Sequence, residues 1–370
     1  MGGMATHSKG IIVRPSRDGS ALVVSIGDDR GGLAKFAERT AAGMAAHGTV
    51  RLYCADLSAE GFGGIIRESW RLRAAAKGCQ AIILQASPYH WSRGSASRGL
   101  FQAVFIDVLL FRRIVLVMHD TPSGRIQRAT LYPRLICLIH WALGRRLVFL
   151  SQAERSQAGW AGKGRHVRVV PHYVEQRSVA PATARMDPSN LRLGVVGFID
   201  SRKNPLFVLQ VVRHLSGAEL SFLGGDLLGQ EDLTRRLETA IGRLGLNTRV
   251  RISGYLSEPE LDAELGRIDI GLCLYGQAST SGSLSTLLAA RRPIVASDLP
   301  IFREYATAAP RAITVVEMDP EVVAQAVLEV ANRNPDWAAE LEQLAKSRSV
   351  RNFGRALWEA AGRDYGGRTH

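Results

Sequence analysis

The chain reads as an α/β protein built in two halves, each a parallel sheet with helices on both faces. Three observations predict this. Short apolar runs of strand length alternate with helical segments from Ala21 to Val316, the pattern of βα units. The alternation breaks once, over His172–Asn190, which is polar, holds Pro181 and Pro188 and has no period, and then restarts. The 370 residues are enough for two buried cores, and 46% hydrophobic with 22% charged residues fits a folded chain and excludes a disordered one. The expected division is a polar N-terminus over 1–19, a first domain over 20–175, a linker over 176–190, a second domain over 191–334 and C-terminal helices over 335–370 that pack back across both.

Met1–Gly19 is mostly polar, and Ile11-Ile12-Val13 is too short for the apolar part of a signal peptide. MGGMAT matches the myristoylation pattern, which is short enough to arise by chance. Ala21–Ile26 is the first buried strand. Gly27-Asp28-Asp29-Arg30-Gly31-Gly32 follows as a tight turn, then a helix with Leu33, Phe36, Ala37, Thr40 and Met44 on one face. Such a corner suits a phosphate, although tight βα turns also use glycine for steric reasons alone.

Further strands are expected at Val50–Ala55, Ala81–Gln85, Ile114–Met118, Leu147–Leu150 and Val167–Val170. Ligands of such sheets bind beyond the carboxyl ends of the strands. His119 and Asp120 stand at one of these ends, where a His either meets a substrate or is fixed to a neighbouring backbone group. Cys54, Cys79, Cys137 and Cys273 have neither disulfide nor zinc spacing and read as buried thiols of a reducing compartment.

The charge is uneven. Residues 1–188 hold 26 Lys and Arg against 12 Asp and Glu, a balance of +14, while residues 189–370 hold 21 against 22, a balance of −1. The first half should therefore be drawn to an anionic partner. No apolar run reaches the ~18 residues needed to span a bilayer. Two stretches combine bulk and cations. Gly99–Phe111 reads as a cover for the sheet. Arg125–Arg146 sets Arg125, Arg128, Arg134, Arg145 and Arg146 beside Trp141 and several leucines, which fits an anionic membrane interface or, alternatively, a second cover for the sheet. Aromatic residues are not interleaved with the basic ones as stacking platforms for nucleic acid require, so nucleic acid is not an expected partner.

In the second half Leu191–Val196 is a strand. Arg202 and Lys203 follow just before a helix start, a place for cations that complete an anion site or for a solvated basic turn. Strands are expected at Leu220–Leu223, Val250–Ile252, Ile268–Cys273, Ile294–Ala296 and Ile313–Val316. Between the third and fourth of these lies the loop Ala278-Ser279-Thr280-Ser281-Gly282-Ser283, feeding a helix over Leu284–Arg292. Small residues at a helix start leave N–H groups and hydroxyls open to an anion such as a phosphate. One capping hydroxyl explains one serine, and the loop holds more than one.

With these segments in view the chain resembles the GT-B glycosyltransferases, in particular the large retaining, nucleotide-sugar-dependent bacterial family known as group 1. GGLAKFAERTAAGMAAHG is similar to that family's first glycine loop and helix. RLVFLSQAERSQAGW and VRVVPHYVE are similar to the end of its first domain. LGVVGFIDSRKNPLFVLQVV is similar to the strand, Lys loop and helix that open its donor domain. VRISGYLSEPELDAELGRIDIGLCL with SLSTLLAARRPIVASDLPIFRE is similar to its donor-site core. The resemblance covers roughly Ala21 to Tyr365.

It implies two Rossmann-like domains facing across a cleft, the nucleotide on the second and the acceptor on the first. Arg202 and Lys203 would meet the diphosphate, and Gly31 and Gly32 would close over it. His119 would touch the transferred sugar, and with Asp120 it makes up the expected catalytic pair. Ser281, Gly282 and Ser283 would bind the phosphates, with Thr286 at the ribose and Glu304 in a donor-site loop. The family's Glu-x7-Glu pair is absent, its positions falling on Ala278 and Thr286, and Phe198 replaces a frequent Arg. The implied activity is transfer of a sugar from a nucleotide-diphosphate donor to a lipid-linked or glycan acceptor in bacterial polysaccharide biosynthesis. Neither metal nor cofactor is expected, and the expected location is cytoplasmic, peripheral on the membrane's inner face. A non-catalytic relative acting as a binding partner or scaffold, and a nucleotide-sugar epimerase, are the alternatives.

Overall fold

The computed structural model describes residues 20–26, 32–55, 62–86, 114–119, 138, 141–142, 144–180, 186–226, 231–278, 281–333 and 336–362. They fall into two compact units, one of residues up to His172 together with those from Val350 on, the other of Tyr173–Ser349. Each unit carries a six-stranded sheet whose paired strands all run parallel.

The first sheet comprises β1 (Ser20–Ile26), β2 (Thr49–Ala55), β3 (Ala81–Ala86), β4 (Ile114–Met118), β5 (Arg146–Phe149) and β6 (Val167–Val169), in the order β2-β1-β3-β4-β5-β6. The chain enters at β1, places β2 at one edge, and returns past β1 to build the rest, so the switch point lies between β1 and β3. Helices α1 (Gly32–Ala45), α2 (Phe62–Ala75) and α3 (Gln152–Gln157) lie in this unit. Leu22, Val24, Ile82, Leu84, Leu116 and Phe149 form its core with Ile65 and Leu72 of α2. Full burial of side chains of this size stabilises by roughly 1.5–3 kcal/mol each.

The second sheet comprises β7 (Arg192–Val196), β8 (Glu219–Leu223), β9 (Val250–Ile252), β10 (Ile270–Cys273), β11 (Ile294–Ser297) and β12 (Ile313–Val316), in the order β12-β11-β10-β7-β8-β9. Its switch point lies between β7 and β10. The intervening helices are α4 (Pro205–Arg213), α5 (Glu231–Arg243), α6 (Glu258–Arg267), α7 (Gly282–Ala289), α8 (Pro300–Ala308) and α9 (Pro320–Asn332). All twelve strands expected from the apolar runs are present. Helix α7 differs from the expected Leu284–Arg292. It starts two residues earlier because Ser281 caps it, accepting from the Leu284 N–H at 3.1 Å, and it ends at Ala289 because Arg291 turns to φ 54° ahead of Pro293.

The polar stretch after His172 is fastened to the second unit. Arg177 donates to Asp262 at 2.5 Å and to Glu258 at 2.9 Å, both on α6. The buried Arg292 guanidinium donates to the carbonyls of Leu265 at 3.0 Å and Gly266 at 3.2 Å, closing the end of α6, and to Ala180 at 2.9 Å. The last two helices, α10 (Trp337–Ser347) and α11 (Val350–Ala360), fall in the second and first units respectively. In the first unit α11 lies directly on α1. A Cβ on Gly354 would stand 2.1 Å from the Gly43 carbonyl carbon, and one on Gly43 would stand 2.1 Å from the Val350 oxygen, so both positions require glycine. The buried Trp358 indole N–H donates to the Met44 carbonyl at 2.8 Å.

One cysteine corrects the sequence reading. Cys79 and Cys273 are buried thiols, but Cys54 is exposed, because it lies on β2, the edge strand of its sheet. Cys137 lies outside the described residues.

Candidate functional site

In the second unit the chemistry gathers at the carboxyl ends of β7 and β10, the two strands that flank the switch point, where α/β sheets bind ligands. After β7 the chain turns through Gly197 at φ 86°. A Cβ there would stand 2.8 Å from the Lys203 Nζ and 2.9 Å from the Ser283 Oγ. Ammonium and hydroxyl thus converge over a backbone that must be glycine. Lys203 sits in a single 3₁₀ turn, Ser201–Lys203, capped by Asp200. Its Nζ donates to the carbonyls of Val196 at 2.9 Å and Phe198 at 2.8 Å, which holds the side chain folded back over the strand end.

Burial lowers the Lys203 pKa to about 8, against the attraction of Asp200. Burial also opposes the Asp200 carboxylate, but the hydrogen bonds from Arg202 outweigh it and hold the pKa below the usual range. Arg202 donates to Asp200 at 2.8 and 2.5 Å while its side chain remains 58% exposed.

The loop after β10 is stitched to this turn. The Gly276 N–H donates to the Arg202 carbonyl at 2.8 Å, and the Asn204 amide, on a residue at φ 48°, donates to the Leu274 carbonyl at 3.3 Å. The Ser297 hydroxyl, at the end of β11, accepts from the Tyr275 N–H at 3.1 Å and donates to the Tyr275 carbonyl at 2.7 Å. Three strand ends are therefore locked into one rigid platform.

Ser281 spends its hydroxyl on the cap of α7, and Thr286 donates to the Gly282 carbonyl at 3.0 Å. The Thr286 oxygen keeps acceptor capacity for an incoming hydroxyl. Gly282 opens α7, and nothing lies within 4 Å of where its Cβ would be. Glu304 is half-buried in the second turn of α8. Ser279 and Thr280 lie outside the described residues.

Tyr275 was not singled out from the sequence. Its hydroxyl is buried beside Ser281, Ser283 and the Cys273 thiol, yet closes no hydrogen bond of ordinary geometry within the protein. Burial, with Cys273 nearby, pushes its pKa well above the usual tyrosine value, so it remains a neutral donor. Burial likewise raises Cys273 to about 12, leaving a thiol rather than a nucleophilic thiolate. Phe198, which the sequence marked only as replacing a frequent Arg, and Tyr255, which was not singled out, follow β7 and β9 and are exposed at 48% and 77%.

In the first unit His119 follows β4, buried, with its Nε2 2.9 Å from the Gln85 Oε1 at the end of β3. The Phe36 ring of α1 meets His119 edge-on at 4.5 Å, His172 at 5.0 Å and Phe353 at 5.6 Å. Gln85 Nε2 is buried without a partner. The signal for Gln85 was present in the sequence, as a lone amide at the carboxyl end of a fully apolar strand. Gly32 begins α1. Gly31, Asp120, Arg125, Arg128 and Arg134 lie outside the described residues.

The residues expected to face a membrane are engaged inside the first unit where they are described. The Trp141 indole N–H donates to the Lys163 carbonyl at 2.8 Å, and its ring packs on the core. Arg146 donates to the Ala360 carbonyl at 2.7 Å, at the end of α11, and Arg145 is half-buried. Among the described residues no helix is long and apolar enough to cross a membrane, and no group of three or more His, Cys, Asp or Glu could hold a metal ion.

Residues 190–333 match the family model described as glycosyl transferases group 1. Comparison with curated proteins found no match. Solved structures do match over nearly the whole chain. HepE of Anabaena, in complex with UDP and glucose, is 13% identical with a TM-score of 0.69, over 92% of this chain and 98% of that one. A glycosyltransferase of Rickettsia africae is 12% identical with a TM-score of 0.70, over 94% and 98%. WaaG, a glycosyltransferase involved in lipopolysaccharide biosynthesis, is 15% identical with a TM-score of 0.64, over 93% and 99%. At these identities the likeness is one of fold, and that fold is GT-B.

Proposed function

Because residues 190–333 carry a group 1 glycosyl transferase domain, we propose that this chain moves a sugar from a nucleotide-diphosphate donor to a lipid-linked or glycan acceptor, with retention and without a metal. The observation that carries the reading is the convergence of the Lys203 ammonium and the Ser283 hydroxyl over Gly197, next to the N-terminus of α7. These are the groups a leaving diphosphate needs, and they are fixed before it arrives.

In this reading Lys203, Ser283, the first N–H groups of α7 and the exposed Arg202 side chain bind the two phosphates. Tyr275 supplies a neutral donor from below. The bond between the sugar's anomeric carbon and the phosphate oxygen breaks, and the electron pair stays on that oxygen. The acceptor hydroxyl forms its bond to the same carbon from the same face and gives its proton to the departing phosphate. His119, oriented by Gln85 and walled by Phe36, holds the sugar. Thr286 stands where a carboxylate would accept from the ribose, so the ribose contact is weaker than a Glu would give. Phe198 and Tyr255 offer flat apolar faces to a base.

The same reading places the acceptor on the strongly basic first half and the protein at an anionic membrane surface during polysaccharide synthesis. The UDP complex of the Anabaena protein makes UDP-sugars the first donors to try. Calorimetry with UDP, GDP and ADP, followed by turnover assays with the sugars of whichever binds, tests the proposal. Saturable binding of one nucleotide, lost in Lys203→Ala, is the expected result. No binding of any of them would refute it. Binding without turnover on any acceptor would favour the non-catalytic alternative, which the missing Glu pair at Ala278 and Thr286 keeps in view.

A further inference from the structure

Tyr275 is clamped at its backbone and at its ring. Its N–H donates to the Ser297 hydroxyl at 3.1 Å, and its carbonyl accepts from the same hydroxyl at 2.7 Å. Its ring meets the buried Phe302 ring edge-on, with 5.5 Å between centroids. The residue is 5% exposed, so the phenol neither swings out to solvent nor reaches a bound molecule directly. Only the hydroxyl hydrogen remains to be aimed. Around it lie the Cys273 thiol and the hydroxyls of Ser281 and Ser283, yet it closes no hydrogen bond of ordinary geometry within the protein. A buried hydroxyl left unpaired costs stability, so its retention calls for a function.

The three neighbours differ in what they have left to exchange. The Ser281 oxygen accepts from the Leu284 N–H at 3.1 Å as the cap of α7, and its own hydrogen can still be donated. The Cys273 thiol is a weak acceptor. Ser283 is half-buried, and its Oγ lies 2.9 Å from the point where a Gly197 Cβ would stand, with the Lys203 Nζ 2.8 Å from that same point. Ser283 therefore lies between the buried phenol and the place where the ammonium meets an anion. Its hydroxyl has one hydrogen. Once that hydrogen is given to a phosphate, the oxygen is left to accept, and Tyr275 is the donor beneath it.

We propose that Tyr275 is a positioning residue for the leaving diphosphate, its O–H donating to the Ser283 oxygen and so aiming the Ser283 hydrogen at a phosphate. The chain of donors runs from Ser281 to Tyr275 to Ser283 to the phosphate, and it is anchored at the helix start by the Leu284 N–H. Bonds in such a chain polarise one another, so each strengthens as charge gathers on the departing oxygen. Burial keeps the phenol protonated throughout, since it holds the pKa well above the usual tyrosine value. Tyr275 itself touches no substrate. The proposal deepens the glycosyltransferase reading above and rests on it for the identity of the anion.

Calorimetry on the whole protein tests it with two probes. One is UDP, with GDP or ADP in its place should one of those be the nucleotide that binds. The other is inorganic pyrophosphate, which carries the two phosphates alone. Tyr275→Phe removes one hydroxyl and should weaken both probes about three- to tenfold, the worth of an ordinary hydrogen bond. Ser283→Ala should weaken them at least as much. In the Ser283→Ala background Tyr275→Phe should cost nothing further, because the oxygen it serves is gone. The thermal melt of Tyr275→Phe without ligand should hold or rise, since the change removes an unpaired buried hydroxyl. A tyrosine that only supported the fold would lower the melt, and its effect on affinity would add to that of Ser283→Ala. Either result would overturn the proposal, as would affinity unchanged by Tyr275→Phe. Pyrophosphate binding that shows the coupling, with no nucleotide bound, would refute the nucleotide-sugar donor and leave the assignment of Tyr275 standing. Nucleotide binding without the coupling would do the reverse, and binding of neither probe would end both.

Discussion

The carboxyl strand ends of the two sheets solve different problems. In the second unit the ends of β7, β10 and β11 are tied together by backbone and side-chain hydrogen bonds, and the groups left facing outward are small or cationic. In the first unit the end of β4 presents one histidine, held by an amide from β3 and walled by a phenylalanine from α1. A platform of the first kind is made to hold charge. A pocket of the second kind orients one ring and is otherwise apolar. One fold used twice therefore acquires its chemistry from the turns and helix starts at its strand ends, while the strands themselves differ little.

The largest expected effect would break the comparison if it failed to appear. Lys203→Ala should weaken nucleotide-diphosphate binding by about 10–100-fold, the loss expected for charge-assisted hydrogen bonds worth roughly 1.5–3 kcal/mol. Gly197→Ala should do at least as much damage, since its methyl group would displace both Lys203 and Ser283. Calorimetry reads both.

The titration of Lys203 sharpens the same contrast. An ammonium with a pKa near 8 loses its charge above that pH, so nucleotide affinity should fall by up to tenfold per pH unit beyond about 8, and Lys203→Arg should remove the dependence. The empty protein should behave in the opposite sense. Between about 8 and the ordinary lysine value the unfolded chain binds more protons, so stability from this group rises with pH. Affinity and stability moving together with pH would contradict the assignment.

For the first unit, Gln85→Leu removes the hydrogen bond at the Nε2 of a buried imidazole, at a cost of about 1–3 kcal/mol. Turnover should drop while nucleotide affinity holds. A variant in which affinity fell instead would erase the distinction between the two sites. The smallest effect is expected from Lys346→Ala, which removes an ion pair with Glu342 whose side chains are 69% and 56% exposed; the melting temperature should not change measurably.

Much of this was legible in the sequence. Apolar runs of three to six residues marked every strand, because a parallel sheet covered on both faces leaves few polar positions along its interior strands. Lys203 and the serine loop were legible because an anion site is built from local features, a strand end, a turn and a helix start. Contacts between distant segments were not legible. Arg146 reads as one cation in a basic stretch, yet its partner is a carbonyl more than two hundred residues later. Trp141 reads as an interfacial aromatic, and its bond to the Lys163 carbonyl shows only once the chain is folded. Cys54 lies in an apolar run, but strand order, which no run reveals, puts it at an edge. Tyr275 and Gln85 were passed over for a related reason. Each is one polar group in apolar surroundings, and only tertiary packing shows that its hydrogen-bonding capacity is left unspent.

The seating of α11 against α1, glycine to glycine, has a consequence for how the molecule comes to exist. A ribosome making this chain releases β1 to β6 early but must complete the entire second unit before the helix that seals the first one emerges. The opening half therefore waits, with one flank of α1 bare, for the polypeptide's closing segment. A nascent chain stalled short of Val350 should be open to protease around α1 while its nucleotide platform is already assembled.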